Sequence, residues 1–205
     1  MFKRYAAGLS LAVGMILSAA PIHAVADEMK TPGTAPDPAM MQQMMKYMTP
    51  NDKHRVLDPL VGKWNCVVKG WMKPGDKAEE STGTAETTWV MGGRFIKQEF
   101  KGSWAGQPFE GTGYTGYDIL REEYQSVWLD NMATGMMHAA GFYNPKTKTV
   151  TTTGQFSCPM TGEKDRWIRS DMKIKSNDFN IYTSYGKTPD GKEFKSMEIT
   201  YTRVK

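Results

Sequence analysis

WLDNMATGMMHAAG, residues 128–141, decides how the chain is read. It sits between EYQSV at 123–127 and FY at 142–143. Two β-rich runs therefore flank DNMATG at 130–135, a cluster of turn-forming residues. Asp130 and Asn131 suit a turn because their side chains bond nearby backbone N–H groups, and Gly135 suits a positive φ. The stretch is expected to be a hairpin. If so, Met136, His138, Ala140 and Phe142 share one strand face, and Trp128 and His138 point inward near one end of the sheet.

The same texture continues in both directions. The runs WNCVVKGWM, STGTAETTWV, RFIKQEFK and PFEGTGYTGY precede the hairpin, and TVTTTGQFS, KDRWIRSDMKI, FNIYTSY and KEFKSMEITYTRV follow it. With the two arms of the hairpin they make ten candidate strands. Every linker is short and holds Gly, Pro, Asn or Asp. Consecutive antiparallel strands satisfy this pattern, and closing them into a barrel removes the exposed edges. The expected fold is all-β, a closed up-and-down barrel over residues 60–205. Alternation places Ile96, Gln98 and Phe100 on the interior face with Arg94. It groups Val150, Thr152, Gly154 and Phe156, and stacks Gly111 with Gly113. A barrel of this size can hold one small ligand.

Upstream, MMQQMMKYM at 40–48 puts Met40, Met41, Met44, Met45 and Met48 within an arc of about 140° on a helical wheel. An amphipathic helix is expected, started near Asp37 or Pro38 and stopped at Thr49-Pro50. Residues 27–39, rich in proline, read as a tether. Residues 1–26 read as a signal peptide: Lys3 and Arg4, an uncharged apolar run, then Ala24-Val25-Ala26. The run is shorter than the ~20 residues a bilayer span needs, which disfavours an uncleaved anchor. Export to the periplasm or beyond is therefore expected. Removing the leader lowers the formal net charge from +4 to +2, so nothing argues for nucleic acid. No later run could span a membrane as a helix. An exported chain meets an oxidising compartment, so Cys66 and Cys158 are expected to pair, two separate thiols being the alternative.

LDPLVGKWNC, TWVMGGRFIKQEFKG, PFEGTGYTGYD, WLDNMATGMM, CPMTGE and PDGKEFKSMEITYTR, in that order, resemble the bacterial domain-of-unknown-function 1579 family. The resemblance covers about Thr49 to Arg203 and implies a lipocalin-like antiparallel barrel. By analogy with calycins it implies a small-molecule pocket. It implies no activity.

The candidate interior residues are Trp89, Arg94, Gln98, Trp128, Asp130, Met136, His138, Arg166 and Tyr201. Aromatic walls with a few polar groups suit a mostly apolar ligand. An inward arginine must be paired or must face an anion, and Arg94 with Asp130 is the structural version. No H-E-x-x-H, G-x-S-x-G or glycine-rich phosphate loop occurs, so no catalytic residue is assigned and no enzyme is expected. No cofactor is singled out. Haem held by His138 and a methionine would rest on one histidine. Thioethers suit Cu(I), so the five helix methionines are the alternative metal site, against a simple docking face that plugs or covers the barrel. A third reading is a packed barrel that serves a protein partner.

Overall fold

The computed structural model describes residues 37–205. The expected leader, and residues 27–36 of the expected tether, lie outside them. Helix α1 spans Pro38–Met48, capped by Asp37, whose carboxylate accepts the Ala39 N–H at 3.0 Å. A short helix α2, Asp52–Arg55, and a 3-10 turn, Asp58–Leu60, follow. Ten strands then run in order: β1 Gly62–Gly70, β2 Glu79–Val90, β3 Phe95–Trp104, β4 Gln107–Asp118, β5 Glu123–Asp130, β6 Met137–Asn144, β7 Thr149–Phe156, β8 Arg166–Ile174, β9 Phe179–Lys187 and β10 Glu193–Arg203. Each pairs antiparallel with its sequence neighbours, and β1 closes on β10, from Trp64 opposite Arg203 to Gly70 opposite Met197. The barrel has no free edge, which is the arrangement the turn spacing called for.

The sequence reading passed over α2 and the 3-10 turn. They form the floor of the barrel. Leu57 and Leu60 drop from this segment onto Ile96, Tyr124, Val150 and Ile174 in one buried cluster. Asn51 and His54 start α2 as a capping box: the Asn51 side chain accepts the Lys53 N–H, and His54 Nδ1 accepts the Asn51 N–H at 3.1 Å. Tyr124 reaches up from β5 to donate to the Lys53 carbonyl at 2.8 Å. Trp89 at the end of β2 donates its indole N–H to Asp58 at 2.9 Å.

Arg203, near the last residue of the chain, ties floor to wall. Its guanidinium donates to the carbonyls of Val61 (2.8 Å), Pro59 (3.0 Å) and Asn177 (2.6 Å). It also lies 4.2 Å over the Trp64 ring, whose own N–H donates to the Leu60 carbonyl at 3.0 Å. Gly62 sits at φ +136°, and any Cβ there would collide with Arg203 Nη1. A glycine is therefore required where the floor turns into β1.

Two predictions follow from the floor. Arg203→Ala strips the donor from the Val61 and Asn177 carbonyls, leaves Pro59 only Asn180 Nδ2 at 3.5 Å, and should cost about 2–4 kcal/mol in urea unfolding. Arg203→Lys should recover only part of this, because an ammonium cannot fan across three carbonyls. His54 is buried, and burial first, then the Arg55 and Arg94 charges, lower its pKa below the usual histidine value. The unfolded chain therefore binds a proton that the folded chain refuses. The contribution of neutral His54 is complete above the unfolded value of about 6.5 and is lost as pH falls below it. Unfolding midpoints at pH 7.5 and 5.5 should differ more for the native chain than for His54→Gln, which keeps a capping acceptor but cannot titrate.

Candidate functional site

The register fixes which side chains face inward. Opposite partners share a face, so Trp64, Ala85, Phe100, Gly111 and Asp130 form one inward row across β1 to β5. Around the other side of the ring, Cys66, Tyr201 and Asn180 form another.

The interior is packed unevenly. Beside the β1 wall, Trp64, Cys66, Ala85, Thr87, Phe100 and Tyr201 are all at most 5% exposed. Trp64 and Tyr201 meet edge to face at 6.3 Å. Gln98 donates to Thr87 Oγ1 at 3.3 Å and hydrogen-bonds Tyr201, whose phenol burial raises well above its ordinary value. The rest of the ring differs. Ser126 and Trp128 on β5, Ile168 and Met172 on β8, Tyr182 on β9 and Ile199 on β10 point inward yet stay only half-buried. Of these, Trp128, Met172, Tyr182 and Ile199 pack against the β1-side cluster while keeping part of their surface accessible. Between them Ala139, Thr152, Ser170 and Ser184 are buried. Polar groups here are paired with one another: Ser170 with the Tyr182 hydroxyl at 2.8 Å, and Ser184 with Ser196 at 3.0 Å. Asn180 Oδ1 is buried with no hydrogen-bond partner among the described residues.

The end opposite the floor carries no helix among the described residues. Its rim is aromatic. Trp104 lies against Gly70, and Phe109 meets Phe100 at 5.9 Å. The Trp128 indole lies flat over Gly111 and Gly113, where any Cβ would strike the ring. The paired glycines thus admit an indole of the protein itself. Trp128 Nε1 donates to Asp130 Oδ2 at 2.9 Å, and Asp130 Oδ1 accepts the Met132 N–H at 2.9 Å. Asn131 extends the β4 pairing through Glu110 and Pro108. The β5–β6 connection is therefore a braced loop, and Gly135 does not take a positive φ.

Phe156 and Arg166 complete the rim, facing each other across β7 and β8. Arg166 Nη1 lies 3.4 Å from Cys158 Sγ and 3.5 Å from Glu163. Burial works to raise the Cys158 thiol. Hydrogen bonds from Thr161, side chain and backbone, from the Met160 backbone and from Arg166 outweigh it, and the net shift is downward. Cys66 has no such partners, and burial alone pushes it up to about 12.

Of the nine residues expected inside, Trp89, Gln98, Trp128, Asp130, Arg166 and Tyr201 face inward. Three of the nine placements are corrected, and so is the cysteine pairing. Arg94 is exposed in the β2–β3 turn and donates to the carbonyls of Met91 (3.0 Å) and Met48 (2.6 Å), so it never meets Asp130. Trp89 faces inward but serves the floor. His138 is exposed on the outer face, opposite Val127 and Gln155, and Met136 is exposed in the loop before β6. The reason is register: Trp128 pairs with Met137, so the even-numbered inward residues of β5 face odd-numbered ones on β6. His138 therefore cannot ligate a group inside the barrel. Lastly, Cys66 and Cys158 are separate buried thiols, not a disulfide. One belongs to the middle of β1, the other to the β7–β8 loop held by Arg166. That loop, with the floor segment, is what sequence reasoning missed. The C-P-M-T-G-E run at 158–163 was its signal, a thiol followed by a tight turn.

Two concavities lie outside the wall. A shallow one of about 230 Å³ lies between the α1–α2 linker and the β2–β3 and β4–β5 turns, lined by Tyr47, His54 and Arg94. A wide groove of about 1120 Å³ crosses the outer faces of β4 to β8, with Tyr114, His138 and Trp167 along it. The helix α1 packs none of its methionines into either the barrel or its mouth: Met40, Met41, Met44, Met45 and Met48 are 42–57% exposed.

The solved structure of Rv2717c from M. tuberculosis superposes with a TM-score of 0.58 at 15% identity, covering 77% of this chain and 100% of that one. The S-type phycobiliprotein lyase CPES from Guillardia theta gives a TM-score of 0.52 at 13% identity, covering 75% and 93%. At such identities the likeness is one of fold, and the shared fold is the barrel. Among curated proteins none matches the chain. The model of the DUF1579 family, described as a protein of unknown function, matches residues 49–203, from the floor segment to Arg203, and the chain belongs to that family.

Proposed function

We propose that this protein is an exported carrier that holds a small, mainly apolar molecule inside the barrel. The observation that carries this reading is a set of large inward residues, Trp128, Ile168, Met172, Tyr182 and Ile199, that keep accessible surface in a closed barrel. The lining sets Trp128, Ile168, Met172 and Ile199 beside Ser126, Thr152, Ser170, Tyr182 and Ser184, which suits an apolar body carrying hydrogen-bonding groups. Entry is by the rim of Trp104, Trp128 and Arg166, since α2 and the 3-10 turn close the other end. Export rests on the leader-like residues 1–26. The reading is of a carrier and not an enzyme, resting on the want of a catalytic motif in the sequence. A barrel of similar fold bears the name of a phycobiliprotein lyase, which is in keeping with a barrel that handles small molecules.

The test fills the space. Ser126→Trp places an indole among the half-buried inward residues without touching the floor. The native chain should take up a fluorescent fatty-acid analogue stoichiometrically, and Ser126→Trp should lose that uptake while unfolding at a similar urea concentration. Iodoacetamide monitors the fold in the same samples: Cys158 should alkylate and Cys66 should not until urea is added. Uptake that survives in Ser126→Trp, or that never occurs in the native chain, would overturn the interior site.

A further inference from the structure

We infer that α1 is a soft-metal site, in which the thioethers of Met41, Met44, Met45 and Met48 bind a single Cu(I) ion. The helix buries none of its residues, and of its methionines only Met48 lines a concavity against the barrel, beside Arg94 and Tyr117. Its whole apolar face is sulfur. Between Pro38 and Met48 there is no Leu, Ile, Val or Phe, and the remaining side chains are two glutamines, a lysine, a tyrosine, an alanine and the proline. A face meant only for apolar docking draws on branched aliphatics, which lose less freedom on packing than methionine does.

The spacing suits one ion. Met41, Met44, Met45 and Met48 stand at i, i+3, i+4 and i+7, so neighbours have Cβ atoms about 5–6 Å apart on one side of the helix. Each side chain has three rotatable bonds and can swing its sulfur over that face. Three or four thioethers can then meet one small ion without backbone movement. Thioethers are neutral, soft donors and select a soft monovalent ion such as Cu(I) over Zn(II), Mg(II) or Ca(II). No thiolate, imidazole or carboxylate of α1 competes to harden the donor set. No electron transfer is needed, because the ion enters and leaves as Cu(I).

The test uses the full chain from Asp27 to Lys205, in native form and with Met41, Met44, Met45 and Met48 all changed to Leu. Both are also made with Cys158→Ser, because a thiol in an activating setting is a competing soft ligand. Each is titrated anaerobically with Cu(I) against a chromogenic chelator, with Ag(I) as a redox-inert repeat. Native and Cys158→Ser chains should bind one equivalent. The leucine variants keep an apolar helix face, so they should lose that equivalent and retain the barrel's circular dichroism. The ¹³C-methyl resonances of the four methionines should shift with Ag(I) in the native chain. Cu(I) binding that persists in the leucine variants, or disappears with Cys158→Ser alone, would overturn the assignment. Sedimentation supplies a further contrary outcome: a dimer formed equally by native and leucine chains, with no bound Cu(I), would make the face an apolar docking surface.

Discussion

Everything in the barrel's lower half hangs on one guanidinium. Arg203 is the last strand residue of the chain, and its partners Pro59 and Val61 come from just before the first strand. The two ends of the barrel's strand order are thus joined by hydrogen bonds to carbonyls that no sheet ladder satisfies. Those carbonyls belong to the turn that carries Leu57 and Leu60 into the barrel. Without a donor they would be turned toward a wall of apolar side chains, which is costly. The stacking on Trp64 adds a second function: it holds the indole so that its N–H meets Leu60, and it seals the seam where β1 joins β10. Closure of the ring and closure of its floor are one event.

That event explains why the interior is uneven. Tight packing radiates from the seam: Trp64, Cys66 and Tyr201 sit beside it, with Ala85, Thr87 and Phe100 one or two strands away. On the far side of the ring the inward residues alternate between small and large, such as Gly113, Ser126, Ala139 and Gly154 against Ile168, Met172 and Tyr182. The width of a ten-strand barrel is set by strand number and tilt and not by side-chain volume, and Trp128, Met172 and Tyr182 reach across it to the β1-side cluster. The wall is held by its own ladder, so its width does not depend on how fully the interior is packed.

The sequence showed the wall well and the ends poorly. All ten strands were legible because each is β-branched or aromatic and each is followed by turn chemistry, a local signal that tertiary contacts reinforce. Inward parity was legible within a strand: Ile96, Gln98 and Phe100, and likewise Val150, Thr152, Gly154 and Phe156, face inward as the alternation required. It failed across the β5–β6 connection. There a braced loop, not a tight turn, pairs Trp128 with Met137 and sends His138 outward. Nothing in D-N-M-A-T-G distinguishes the two, because the bracing partners, Pro108 and Glu110, come from β4. The floor was missed for a like reason. N-D-K-H-R-V-L-D-P-L is too short for helical periodicity, and its helix is capped by a histidine in place of the usual Glu or Gln.

The two cysteines show how far position outweighs residue type. Both are buried, and burial alone disfavours a thiolate. Cys66 lies on a strand whose backbone groups are committed to the β2 and β10 ladders, so nothing is left to stabilise an anion, and it behaves as a small apolar residue. Cys158 lies in a loop whose turn aims free N–H groups at its sulfur, with Arg166 beside it. The loop does so at the open end of the barrel, where the rim also places Trp104 and Trp128. The thiol with the lowered pKa thus stands at the rim end and the one with the raised pKa where the wall is sealed. A disulfide between them would have drawn the mouth loop onto the seam, at the expense of both the Arg166 contact and the packed Trp64–Tyr201 pair. Keeping the thiols apart preserves both contacts.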